Sequence, residues 1–117
     1  MTNEAMLDDF SELITESYRL KKAFERLVRK TDFSEQARYV SQISWYDKRL
    51  LEITANVGLK IVIPAGEKYD EGMAVTPLNL DEFDKSDVLF IEQVLEPIIM
   101  FNNKILRMGT AILRRGI

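Results

Sequence analysis

The sequence contains no cysteine and no histidine. The first absence removes disulfides, thiolate nucleophiles and thiolate metal sites. The second removes the commonest general base and the commonest metal ligand. Acid–base chemistry would fall to carboxylates alone, and none stands in a recognisable catalytic pair. Asp8-Asp9 has no partner at useful spacing. The stretch Asp81–Asp87 lacks the glycine and terminal glutamate of a calcium-binding EF-hand loop. The formal net charge is only −3, so no basic field points to nucleic acid. No apolar run approaches the roughly 20 residues that cross a bilayer. The opening MTNEAMLDDFSELITE lacks the basic-then-apolar order of a signal peptide. The expectation is a cytoplasmic, non-enzymatic protein without cofactor or metal, binding neither nucleic acid nor membrane.

What is present is globular: 46% of 117 residues are apolar and 30% charged. The first half has helical periodicity. Phe10, Ser17 and Phe24 recur every seven residues, interleaved with Met6, Leu13, Leu20 and Leu27 and widened by Leu7, Ile14 and Val28. Acidic residues come early and basic residues, Arg19 to Lys30, late, which suits the helix dipole. Thr31-Asp32-Phe33-Ser34 is a break, with Ser34 the expected cap of a second helix. That helix carries Tyr39, Ile43, Tyr46, Leu50, Ile53 and Val57 at unbroken heptad spacing and stops at Gly58. One helical hairpin cannot cover both seams. Residues 1–58 are therefore expected to pair with a second copy in a dimeric four-helix bundle. The expected interface is Leu13, Leu20, Phe24, Tyr39, Ile43, Tyr46, Leu50 and Ile53. Packing of the helices on the second half is the competing solution.

From Leu59 onward proline, glycine and β-branched residues take over. Short strands are expected near 59–63, 73–78, 88–96, 98–101 and 104–114, with an acidic loop over 79–87. The fold class is α+β: a helical hairpin, 1–58, then a small mostly β domain, 59–117. Asn102-Asn103 is the best turn, because Asn tolerates positive φ. A two-residue turn there sets Phe101 opposite Lys104, Ile99 opposite Leu106 and Pro97 opposite Met108. Pro97 has no N–H, so the ladder must break near it. Arg107 is a cation among apolar neighbours. It either pairs across the strands with Glu96 or is held for a partner.

The last quarter also resembles the C-terminal signature of GrpE, the nucleotide exchange factor of DnaK-type chaperones. Val94-Leu95, Phe101, Lys104, Ile105, Leu106 and Arg107 fall where that family has Val-Leu, Leu, Arg, Val, Leu and Arg. Upstream, Pro64-Ala-Gly-Glu-Lys-Tyr-Asp70 resembles the family's Pro-x-Gly-x-x-Phe-Asp. Gly58 and Val62 resemble its helix-to-β junction. Ile98-Ile99 and Met108-Gly109 depart from the family's Gly-Tyr and Pro-Ala, and the family's long N-terminal coiled coil is missing. The resemblance implies a homodimeric co-chaperone whose β domain binds the ATPase domain of a DnaK-type chaperone and promotes nucleotide release. Arg107, Lys104, Met108 and Ile98 would make the contact. The alternative is an interaction module on the same scaffold that binds another ATPase of the actin and chaperone superfamily, or a different protein, without exchange activity.

Overall fold

The computed structural model describes residues 3–116 and shows an α+β chain: two helices followed by a β-rich region with two three-stranded sheets. It divides into two compact units, Met1–Lys60 and Ile61–Ile117. No helix among the described residues is long and apolar enough to cross a membrane.

Helix α1 spans Asn3–Val28 and α2 spans Phe33–Asn56. They form an antiparallel hairpin held by pairs at matching heights. Ser17 and Tyr46 share a hydroxyl hydrogen bond of 2.5 Å. Lys21 reaches Asp47 at 2.8 Å, and the Phe24 and Tyr39 rings meet edge to face at 6.0 Å. The cap of α2 is Asp32, not Ser34: Asp32 is extended (φ −61°, ψ 143°) and its carbonyl accepts the Glu35 and Gln36 N–H groups. Its side chain makes no capping bond. Instead Gln36 Nε2 donates to the Thr31 carbonyl and closes the connection. At the other end Gly58 takes φ 78°, and its N–H bonds the Ala55 carbonyl. A left-handed residue stops the helix there, as glycine does at low strain.

The apolar seam of α1 divides in an unexpected way. Ile14 and Val28, expected only to widen the seam, are buried, together with Ser11, Thr15 and Tyr18. Met6, Leu13, Leu20 and Leu27, four of the seven seam residues, are exposed, Leu20 at 72%. The buried hydroxyls satisfy themselves within the helix. Ser11 donates to the Asp8 carbonyl at 2.8 Å and Thr15 to the Ser11 carbonyl at 2.9 Å. Thr54 of α2 does the same to the Leu50 carbonyl.

The strands are β1 (Leu59–Val62), β2 (Val75–Pro77), β3 (Leu89–Glu96), β4 (Ile98–Phe101), β5 (Lys104–Arg107) and β6 (Gly109–Arg115). One sheet has the order β1-β4-β5, the other β2-β6-β3. The expected strand over 104–114 is thus two strands in two sheets, interrupted at Met108. The opposite interruption is at Pro97, where β3 gives way to β4. One long hairpin, 89–115, therefore bends between two sheets, and proline's missing N–H falls where no ladder bond is needed. Gly109 lies at this corner: a Cβ built on it would meet the Glu96 carbonyl oxygen at 2.7 Å. The β unit's core is aliphatic, with Ile91, Ile99 and Ala111 fully enclosed and Val75, Leu89, Val94 and Leu113 nearly so.

Candidate partner-binding site

The β4–β5 turn is Asn102-Asn103, with φ of 51° and 63°. Two consecutive left-handed residues give the type I′ geometry that matches strand twist. Phe101 faces Lys104, as the turn requires, but the register then slips. Met100 faces Ile105 and Ile99 faces Arg107, leaving Leu106 as the extra residue of a bulge. The expected pairs Ile99–Leu106 and Pro97–Met108 are not formed. A bulge next to the sheet-changing corner absorbs the bend between β5 and β6, and no local sequence feature announces it.

The bulge decides where the expected contact residues lie. Lys104 is exposed and Met108 is half-exposed at 51%. Ile105 has 48% of its surface in water. The sequence offered a signal for Ile105, an isoleucine beside a turn. Arg107 is half-buried opposite fully enclosed Ile99. Among the described residues no ion pair or side-chain hydrogen bond reaches its guanidinium. The Glu96 pairing is absent because the register brings Glu96 to Thr110, whose hydroxyl donates to Glu96 Oε1 at 3.2 Å. Ile98 does not belong to this surface. It is 6% exposed, and its Cγ1 would lie 3.2 Å from a Cβ at position 109. Its side chain fills the corner of the core beside Gly109.

On the helical unit, Leu13 and Leu20 are exposed, Ile53 is 41% exposed, and Phe24, Tyr39, Ile43, Tyr46 and Leu50 are half-buried. A groove of about 320 Å³ runs between the helices along Ser17, Leu20, Lys21, Phe24, Ile43 and Tyr46. On the same helix, burial pushes the Tyr18 phenol up to about 12, with the Glu25 and Asp47 carboxylates adding to the shift. This face is therefore apolar, grooved and uncovered in a single chain. Among the described residues no cluster of three or more acidic side chains could hold a metal ion.

No family model, no curated protein and no solved structure matches this chain. The two surfaces must be interpreted from their own chemistry. One is a strand edge bearing Lys104, Ile105, Arg107 and Met108, cationic and apolar at once. The other is a helical face with leucines every seven residues. Both have the composition of contact surfaces, where arginine and large apolar groups dominate.

Proposed function

We propose that this protein is a GrpE-like exchange factor for a DnaK-type ATPase, working as a homodimer and without chemistry of its own. The observation that carries the reading is the unpaired, half-buried Arg107 on an edge strand beside exposed Ile105 and Met108. A cation partly withdrawn from water and left without a counter-charge is poised for an acidic group on a partner. Lys104 adds a second positive charge at the turn. The order helix, left-handed Gly58, six-stranded β unit and terminal hairpin supports the same reading.

The mechanism is differential affinity. A protein that binds the open, nucleotide-free ATPase domain more tightly than the closed one must lower that domain's affinity for nucleotide by the same factor. No catalytic residue or cofactor is required. The second copy would cover Leu13, Leu20 and Phe24 of α1 and Tyr39, Ile43, Tyr46, Leu50 and Ile53 of α2, completing a four-helix bundle. A cytoplasmic location follows from the partner.

The test is release of a fluorescent ADP analogue from a DnaK-type ATPase domain, with wild type and Arg107→Ala. Wild type accelerates release. Arg107→Ala weakens the complex by about 1–3 kcal/mol, as truncating an interface arginine does, and leaves the melting temperature nearly unchanged. A mutant that melts early yet still accelerates release would make Arg107 a fold residue. Binding of wild type without faster release would leave an interaction module on this scaffold.

A further inference from the structure

A second surface of the β unit lies away from Arg107. Between residues 68–71 and 80–89 there is an open cavity of about 860 Å³, within the roughly 300–1,000 Å³ of ligand-binding clefts. Its apolar lining comes from Tyr69, Leu80, Phe83 and Val88, of which Leu80 and Val88 are more than 40% exposed. The loop that forms one wall is anchored. Asn79 grips the backbone of Leu113 with both ends of its amide, each bond 2.9 Å. Asp87 accepts the Asp84 N–H and pairs with Arg115 at 3.2 Å. Phe83 lies against the Arg115 guanidinium, 5.7 Å from ring centre to charge.

Around this apolar surface stand Glu71, Asp81 and Asp84, all exposed and lining the cavity. Among the described residues none of their carboxylates has an ion pair or accepts a hydrogen bond. Lys68 and Lys85 answer only part of the charge. The negative field is felt locally, since the Tyr69 phenol is raised by burial and then by Glu71 and Asp70. The carboxylates do not converge tightly enough to share a metal ion. They rim an apolar cleft that a bare cation would leave uncovered, and they repel nucleic acid. We propose that this groove docks an extended polypeptide segment with an aliphatic or aromatic anchor flanked by lysine or arginine. The anchor covers Leu80, Phe83 and Val88, and the flanking cations meet Glu71, Asp81 and Asp84. Arg115 at the groove and Gly109 beside Met108 are opposite ends of β6, about 20 Å apart at the usual strand rise. The groove and the Arg107 surface are therefore separate sites, and this proposal does not rest on the exchange-factor reading.

The experiment is fluorescence anisotropy with the full chain and a labelled octapeptide, Lys-Lys-Arg-Leu-Phe-Arg-Lys-Lys. Saturable binding is expected, weakening as salt rises. Glu71→Gln with Asp81→Asn and Asp84→Asn, or separately Leu80→Ser with Val88→Ser, should each weaken it by about tenfold or more, while Arg107→Ala leaves it unchanged. Replacing Leu-Phe by Ser-Ser in the peptide should do the same. Thermal melts check that the variants fold, and either variant alone decides if the other does not. The proposal is overturned by absent or non-saturable binding, by variants that bind like wild type, or by a Ser-Ser peptide that binds as well as the parent. The last outcome would mean attraction of any polycation.

Discussion

The helical unit buries hydroxyls and leaves leucines in water, whereas the β unit buries isoleucines and leaves charges in water. Ser11, Thr15 and Thr54 are enclosed while Leu13, Leu20 and Leu27 are exposed. In the β unit Ile91, Ile99 and Leu113 are enclosed, and the exposed residues are mostly polar. The β unit has an enclosed aliphatic core, although Leu78, Leu80, Val88, Ile105 and Met108 stay exposed at its surface. Burying one such side chain stabilises by roughly 1.5–3 kcal/mol, and its inward positions are nearly all aliphatic. The hairpin leaves its leucine stripe in water. The dimer proposed above would cover that stripe.

That contrast breaks most directly by truncating one residue from each unit. Ile91→Ala should destabilise the protein by about 2–5 kcal/mol at any concentration, as buried large-to-small changes do. Leu20→Ala should cost under about 0.5 kcal/mol in dilute monomer, as exposed substitutions do. It should cost several-fold more where wild type is dimeric, because there the side chain is buried. Chemical denaturation across a dilution series, with sedimentation equilibrium, measures both. A Leu20→Ala cost independent of concentration would place the stripe in no interface.

Next in size is the corner where the β unit changes sheets. Gly109→Ala should cost about 1–3 kcal/mol, because the new methyl meets a backbone carbonyl that cannot swing aside. Its effect should be the same at all dilutions. A neutral result in thermal melts would mean that the hairpin bends elsewhere.

The helical unit should show its own signature at high pH. Tyr18 has a phenol pushed up from the ordinary 10.0 to about 12 by burial, Glu25 and Asp47. Between those values the unfolded chain ionises while the folded chain keeps its proton, so fewer protons are bound in the unfolded state and stability falls as pH rises. The contribution is complete below pH 10 and lost through about 12. Tyr18→Phe should flatten the stability profile in that window, read by denaturation at stepped pH. An unchanged slope would assign the alkaline loss to other groups.

The smallest effect is expected at the turn. Asn103→Gly should change stability by no more than about 0.5 kcal/mol, because glycine adopts the φ of 63° without strain but loosens the unfolded chain. Asn103→Val should cost more, since a β-branched residue resists positive φ. Equal melting temperatures for the two would deny the left-handed conformation.

The sequence by itself determined what depends on a few neighbouring residues. Gly58 ended α2, Asn102-Asn103 made the turn, Pro97 forced a break, and the period of seven marked two helices. These are steric consequences of single residues or of helical repeat. Only the tertiary structure decided which side of α1 turns inward, because serine and threonine can satisfy their hydroxyls on their own helix and so compete with leucine for the interior. It also placed the bulge at Leu106, the change of sheet at Met108 and the parallel pairing of β2 with β6. The β2–β6 pairing joins segments far apart in the chain, and the bulge and corner are set by how the sheets bend and pack. That same bend separated Arg107 from Glu96 and left its charge without a partner among the described residues.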